Sequence, residues 1–137
     1  YQNALKIRQA EKNFYSQAEI LNNLAVLYHQ IGEYELASET FESGLVCARK
    51  GHNRRAESLI LTGLGDLYSE VDVFDAAAQA YQQAGRVEDA VAQLDTVADT
   101  LLSVGKKEEA MMIVNQILLL NPPNSEQYRQ LLSQIQQ

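Results

Sequence analysis

The apolar residues of this chain recur at steps of three and four, which is the period of an α-helix that buries one side. The stretch LNNLAVLYHQIG shows it best, with Leu21, Leu24, Leu27 and Ile31 on one stripe that ends before Gly32. The same pattern elsewhere predicts helices near residues 2–12, 14–30, 34–50, 54–70, 74–84, 87–104, 106–120 and 125–136. The fold is therefore predicted to be all-α.

The predicted helices are joined by short turns. Gly32 and Gly105 stand where a residue in the left-handed conformation would close a helix, and Asp72 has the equivalent position. Turns of a few residues force successive helices to lie antiparallel. Near the end of the chain, Pro122 stops one helix, and the next can be capped by Asn124 or Ser125.

The sequence also repeats itself. A shift of 40 residues aligns Leu24 with Leu64 and Tyr1 with Phe41, and a shift of 33 then aligns Ala77 with Ala110. Small residues recur in register, and we expect them where helices cross at close range, because interhelical distance depends on side-chain size. These residues are Ala25, Gly65 and Ala98 in the first helix of each unit, and Ala37, Ala77 and Ala110 in the second.

The order of large, small and aromatic positions resembles the tetratricopeptide repeat, whose usual length is about 34 residues. One unit carries the pattern in Leu21, Leu24, Ala25, Tyr28, Gly32, Ala37 and Phe41. The units are similar to those of kinesin light chains, Pins-type adaptors and bacterial multidomain transcription regulators. The 40-residue spacing implies either a longer second helix or a longer loop at residues 46–55.

This resemblance implies an α-solenoid, a right-handed superhelix of antiparallel helix pairs, over residues 1–137. Residues 1–12 would be the second helix of a truncated repeat, residues 14–50, 54–84 and 87–121 three repeats, and residues 125–137 a capping helix. Because the chain begins in mid-repeat with Tyr1, we expect the array to continue upstream in a longer protein. Its edge from Tyr1 to Ile7 is a candidate homodimer contact.

Composition narrows the range of partners. The net charge of −7 disfavours nucleic acid and anionic membranes as partners. A basic cluster between Arg49 and Arg55 is interpreted as a solvated loop between helices. Cys47 is the single cysteine, and no apolar run reaches the length of a membrane span, so a cytoplasmic location is expected.

Candidate chemistry is sparse. His29 and His52 are the only histidines, and neither has a partner at metal-ligand spacing. Cys47 is more easily explained as a cysteine packed between helices than as a nucleophile. No catalytic, metal or cofactor site is predicted, and the chain is not expected to be an enzyme.

The resemblance implies that residues off the packing stripe of each first helix line a concave groove. The predicted partner-binding residues are Asn22, Asn23, Val26, His29, Thr62, Asp66, Glu70, Asp95 and Asp99. This groove is predicted to be acidic and rich in amides, without Lys or Arg. Asparagine amides suit the backbone of an extended peptide, and the aspartates favour basic side chains on it. The expected function is a protein-interaction scaffold, and the alternative is a structural, self-associating array that binds no peptide.

Overall fold

The structure is a computed structural model that describes residues 2–137. Its helices are α1 (Gln2–Gln30), α2 (Tyr34–Lys50), α3 (Arg54–Glu70), α4 (Phe74–Gln83), α5 (Val87–Ser103), α6 (Lys107–Leu119) and α7 (Ser125–Gln136). Residues 2–137 contain no β-strand, so the predicted all-α fold is confirmed. Tyr1 lies outside the described residues, and its register with Phe41 stays a prediction.

Helix α1 is one helix of 29 residues where the sequence predicted two, 2–12 and 14–30. The predicted break is wrong because nothing around residue 13 interrupts the helix. Asn13 stays in it, and its Oδ1 accepts a hydrogen bond from Nε2 of Gln9, 3.2 Å away and one turn earlier. Residues 2–12 therefore extend the first helix and do not fold back as the second helix of a truncated repeat.

Five helix ends share one turn geometry. In each, a residue with positive φ is followed by a residue whose N–H donates to the carbonyl oxygen five positions earlier, at 2.8–2.9 Å. This is the bond that closes a Schellman turn. The residues with positive φ are Gly32, His52, Asp72, Gly85 and Gly105. The turn predictions at Gly32, Asp72 and Gly105 are thus confirmed, whereas His52 was not anticipated.

The lengths of the helices explain the two repeat periods. Helices α2, α3 and α5 each have 17 residues, whereas α4 has 10 and is two helical turns shorter. A unit that contains α2 therefore repeats after 40 residues, and one that contains α4 repeats after 33. Because the turn after α2 is only residues 51–53, the longer unit comes from a longer second helix and not from a longer loop.

The chain divides into two compact units, of which the first ends at Leu67 and the second is Tyr68–Gln137. In the first unit, the small residues predicted at helix crossings, Ala25, Ala37 and Gly65, are buried. Helices α2 and α3 approach closely, since a Cβ added at Gly63 would lie 2.7 Å from Cε1 of the Phe41 ring. The regular small positions thus allow the helices to pack as predicted.

The second unit has its own core. Ala77, Tyr81 and Ala90 form one cluster between α4 and α5. A larger cluster joins α5 and α6 to the last helix, which contributes Tyr128 and Ile135. Leu131 and Leu132 of α7 pack against it, as the apolar stripe of that helix predicted.

Candidate functional site

The turn between α2 and α3 is fixed against the middle of α1. Asn53 is 1% exposed; its Oδ1 accepts a hydrogen bond from the backbone N–H of Ala56 at 3.0 Å, which caps the start of α3. Its Nδ2 donates to the carbonyl oxygen of Tyr15 at 3.1 Å. Gly51 lies so close to α1 that an added Cβ would be 2.8 Å from the Tyr15 Cα. The relative position of α1 and α3 is set by this contact.

A cavity of about 180 Å³, here called the α1–α3 cavity, lies beside this contact. Its lining residues are Glu19, Asn22, Asn23, Arg55, Ala56 and Leu59. Oδ1 of Asn22 is buried and has no hydrogen-bond partner among the described residues. A buried acceptor without a donor costs about 1–3 kcal/mol, so a ligand N–H placed here would be stabilised. Both residues of the predicted amide pair therefore line one cavity.

Arg55 corrects the prediction of a groove without Lys or Arg. It lines the α1–α3 cavity together with Asn22 and Asn23. The first residue of α3 predicted for the groove is Thr62, and Arg55, which lies two helical turns earlier on the same face, was missed. The spacing of seven residues between Arg55 and Thr62 is the signal that could have found it, but the sequence interpretation places Arg55 in a solvated basic cluster.

The basic cluster around that turn is also more ordered than a solvated loop. Within this cluster, which extends from Arg49 to Arg55, only residues 51–53 lie outside helices α2 and α3. Nε of Arg49 lies 3.4 Å from Oε2 of Glu57, and Nζ of Lys50 lies 5.3 Å from the centroid of the Phe14 ring. Two of the cations therefore contact neighbouring side chains.

The other residues predicted for the first unit have local roles or remain exposed. The His29 ring packs edge-to-face against Tyr34, with centroids 5.7 Å apart. Oγ1 of Thr62 donates to the carbonyl oxygen of Ser58 at 2.9 Å, within the same helix. Val26 and Asp66 are exposed on α1 and α3. None of these four lines the α1–α3 cavity, so their part in binding stays a prediction.

The second unit holds a cavity of about 420 Å³ between α5 and the start of α7, here called the α5–α7 cavity. Its lining residues are Val87, Glu88, Val91, Ala92, Asp95, Pro122, Pro123, Asn124 and Tyr128. The proline turn is held by Ser125, whose Oγ donates to the carbonyl oxygen of Pro122 at 2.6 Å.

The sequence predicts the position of the α7 N-cap correctly, but the side chain at that position does not form the expected capping hydrogen bond. Asn124 occupies the N-cap position, but its side chain makes no capping hydrogen bond. Its Nδ2 donates instead to Oε1 of Gln127 at 3.4 Å. Asn124 is also hydrogen-bonded to the side chain of Tyr128, so it helps to build the cavity wall.

Asp95 is the one predicted site residue that lines the α5–α7 cavity. Burial, and secondly the charge of Asp99, raise the pKa of the Asp95 carboxyl, although a hydrogen bond from Tyr128 opposes this. Burial, followed by the charge of Asp95, raises the pKa of the Tyr128 phenol. The phenol therefore keeps its proton and donates to the carboxylate. Asp99 and Glu70 are exposed and do not line this cavity.

A further cavity of about 550 Å³ lies between α4 and α6, over Leu94. Its polar groups are mainly the amides of Gln79, Gln82 and Gln116. Sequence reasoning did not anticipate it. These three glutamines are exposed.

Residues 2–137 contain no group of three His, Cys, Asp or Glu side chains that could hold a metal ion. Within the same range, no helix has both the length and the hydropathy needed to cross a membrane. Cys47 is half-buried, and its Sγ lies 3.7 Å from Oε1 of Gln17.

Comparison with known proteins identifies the repeat. The sequence model described as "Tetratricopeptide repeat" matches residues 16–87, which include α2, α3 and α4. The chain belongs to the tetratricopeptide repeat family. It is 32% identical over 114 residues to the protein named Protein O-mannosyl-transferase TMTC1 from Homo sapiens. That match covers 82% of this chain and 12% of the human protein.

No solved structure is significantly similar to the chain. Tetratricopeptide repeats generally mediate protein–protein interactions, which is consistent with cavities lined by amide and carboxylate groups. The similarity to kinesin light chains, Pins-type adaptors and bacterial regulators is not tested by these matches and stays a prediction.

Proposed function

We propose that this chain is a non-enzymatic interaction module that binds an extended peptide of a protein partner on the first helices of its repeats. The observation that supports this most strongly is that Asn22 lines the α1–α3 cavity and that its Oδ1 has no hydrogen-bond partner among the described residues. An extended peptide offers a free backbone N–H at every second residue on one side, which is the donor that this oxygen lacks.

The neighbours of Asn22 complete a site for peptide backbone. Asn23 is exposed and can donate and accept, and the guanidinium of Arg55 can donate to peptide carbonyl oxygens. Glu19 adds negative charge to the same cavity. In the second unit, Asp95, Asp99 and Glu70 would favour basic residues of the partner, in keeping with the net charge of −7.

Panning a displayed library of random peptides against the intact chain tests this proposal. The affinity of a selected peptide would then be measured by calorimetry. Asn22→Ala should weaken binding about tenfold, because about 1.4 kcal/mol is lost with the hydrogen bond to a buried acceptor. Asn115→Ala, which removes an exposed amide on α6, serves as the matched control and should bind as the parent chain does. Failure to select any peptide, or an equal effect of both substitutions, would contradict the proposal.

We assign no transferase activity to this chain. The human relative is named as an O-mannosyl-transferase, but the chain spans only 12% of its length. We also propose a cytoplasmic location, on the basis of the single free cysteine. Its place in a larger protein, including a bacterial regulator, stays a prediction.

Self-association is a second candidate function, because α1 exposes an apolar stripe. Ile20, Leu24, Leu27 and Ile31 are 64%, 37%, 51% and 63% exposed. Of the residues 40 positions later, Ile60, Leu64 and Leu67 are at most 4% exposed, and only Val71, the counterpart of Ile31, is exposed, at 42%. There, α2 covers the stripe, since a Cβ added at Gly44 would lie 3.0 Å from Cδ1 of Ile60. The stripe on α1 therefore has the form of a helix-packing surface.

The residues that flank the exposed stripe of α1 favour pairing with the same stripe in a second copy of the chain. Spacings of four, three and four residues suit the pairing of two helices. Ser16, Asn23 and Gln30 follow the edge of the stripe and are uncharged, so two copies would not repel each other there. The N-terminal edge, with Leu5 and Ile7 half-exposed, is the other predicted contact.

Sedimentation velocity distinguishes these surfaces. If the stripe is used, Leu27→Glu should give a monomer, whereas Ile7→Glu should leave the dimer intact. Leu119→Glu is the matched control, because Leu119 is 85% exposed and belongs to the second unit. A chain that is monomeric before substitution at 100 μM or above, as an order-of-magnitude ceiling for a weak dimer, would eliminate this candidate.

A further inference from the structure

The α5–α7 cavity has apolar walls and a fixed shape. Val87, Val91 and Ala92 form one wall and Pro122 and Pro123 the other. Its volume of about 420 Å³ falls within the roughly 300–1,000 Å³ typical of ligand pockets. Proline fixes the backbone of the turn, and Ser125 bonds back to it, so little ordering would be needed when a ligand binds.

The charged groups that line this cavity are Glu88 and Asp95, both acidic. The neighbouring cations of the chain are engaged elsewhere. Nε of Arg86 lies 2.6 Å from Oδ2 of Asp89, and Nη1 of Arg129 lies 3.3 Å from Oε2 of Glu126. In the part of the chain that the structure describes, no cation pairs with Glu88 or Asp95. The cavity therefore offers carboxylates without an internal counterion.

One of these carboxylates interacts with a buried side chain. Tyr128 is only 8% exposed, and its hydroxyl group donates a hydrogen bond to Asp95. A carboxylate can accept about four hydrogen bonds, so this bond leaves others open toward the cavity. Asp99, one helical turn along α5, adds negative potential without lining the cavity. An acidic group held against apolar walls suits a ligand that is cationic at its tip and apolar along its length.

From this arrangement we propose that the α5–α7 cavity binds the side chain of an arginine residue in a partner peptide. The methylene stem packs against Val87, Val91 and Pro122, and the guanidinium donates to Asp95 and Glu88. Arginine fits better than lysine because its guanidinium is weakly hydrated and carries five donors in a plane, which can serve two carboxylates at once. This assignment rests on the proposed peptide-binding function and specifies a side chain of the partner.

The test is a titration of the ¹⁵N-labelled full chain with Nα-acetyl-arginine N-methylamide, followed by amide chemical shifts. Saturable shifts are expected at Ala92 and Asn124, in the two walls of the cavity. The citrulline analogue has nearly the same shape without the charge, and the lysine analogue has the charge without the planar fork. Affinity for both should be at least fivefold lower than for the arginine probe.

Substitutions then locate the binding groups. Asp95→Asn should lower the affinity for the arginine probe at least fivefold. If Asp95→Asn perturbs the fold, Glu88→Gln is the second variant, because Glu88 is exposed. Asp75→Asn removes the same charge from α4, outside this cavity, and should have no effect. The proposal is overturned by an absence of saturable shifts, by equal binding of the citrulline or lysine probe, or by an equal loss in Asp75→Asn.

The arginine titration and the peptide-binding experiment can fail independently of each other. Asn22→Ala affects the α1–α3 cavity and should leave the arginine titration unchanged. If panned peptides bind through Asn22 but the arginine probe does not bind, only the arginine assignment fails. If the arginine probe binds but no peptide is selected, the wider peptide-binding function fails.

Discussion

Gly51 is the residue whose replacement most sharply tests the packing of the first unit. It closes α2 with φ of −91°, a conformation that alanine also adopts, so Gly51→Ala introduces no strain in φ itself. The added methyl group would meet the backbone of α1 at 2.8 Å from both the Phe14 carbonyl carbon and the Tyr15 Cα. Backbone atoms in a helix cannot rotate away, so the turn and α1 would have to separate.

The size of the effect follows from these contacts. Restoring an ordinary contact of 3.4 Å requires a displacement that also lengthens the 3.1 Å bond from Nδ2 of Asn53 to the Tyr15 carbonyl oxygen. Overpacking of this kind costs about 1–3 kcal/mol, and the lost hydrogen bond adds about 1 kcal/mol. We expect Gly51→Ala to lower the free energy of unfolding by about 2–4 kcal/mol.

Urea denaturation followed by far-ultraviolet circular dichroism measures this loss. Gly44→Ala is the matched control, because its new methyl group would meet the flexible Cδ1 of Ile60 at 3.0 Å and Cβ of Leu21 at 3.2 Å, while the nearest backbone atom, N of Asn22, lies at an ordinary 3.8 Å. Alanine also favours the interior of α2 by about 1 kcal/mol over glycine, so the control should be close to neutral. Equal stability of Gly51→Ala and the parent chain would refute the close approach of the turn to α1.

Three other substitutions test separate features. Ala37→Leu should destabilise the chain by about 1–3 kcal/mol through overpacking, because Ala37 is fully buried; an unchanged melting temperature would contradict the stacking. His52→Gly should raise the unfolding free energy by about 0.5–1 kcal/mol, since φ of 52° strains a non-glycine residue; a loss in urea denaturation would count against this. Because the pKa of Asp95 is raised in the folded state, its protonated carboxyl group stabilises the fold below about pH 3.8. This stabilisation is lost as the pH rises through the folded-state pKa. Asp95→Asn should therefore gain stability relative to the parent chain between pH 3 and pH 7, and an equal difference at both values would show that the carboxyl is not perturbed.

Much of the fold follows from local sequence signals. The bounds of α2 and α3 agree with the prediction to the residue, because both helices lie between clear turn signals and have strong apolar stripes. No glycine or proline supports the break that the apolar pattern predicted near residue 13. Where periodicity and local chemistry disagreed, local chemistry was the better guide.

The candidate site was less accessible to sequence reasoning. Helical spacing selected Asn22, Asn23 and Asp95, and all three line cavities. It could not show that Oδ1 of Asn22 lacks a donor, because that depends on how α3 packs against α1. Arg55 was missed for the same reason, since its contact with the amide pair is made between two helices.

The role of Tyr128 depended on the path of the chain after α6. The prolines predicted a helix stop, and the stripe on α7 predicted a buried tyrosine. Neither pattern shows that this turn brings Tyr128 to Asp95, 33 residues earlier in the chain. Such a pair can be identified only once the packing of α5 and α7 is known.

The central claim is that a partner peptide binds on the first helices, at the groups that packing leaves unsatisfied. Amide chemical-shift mapping of a panned peptide on the ¹⁵N-labelled full chain tests it most directly. We expect the largest shifts at Asn22, Asn23 and Leu59, around the α1–α3 cavity. Shifts confined to α2, α4 and α6 would contradict the claim.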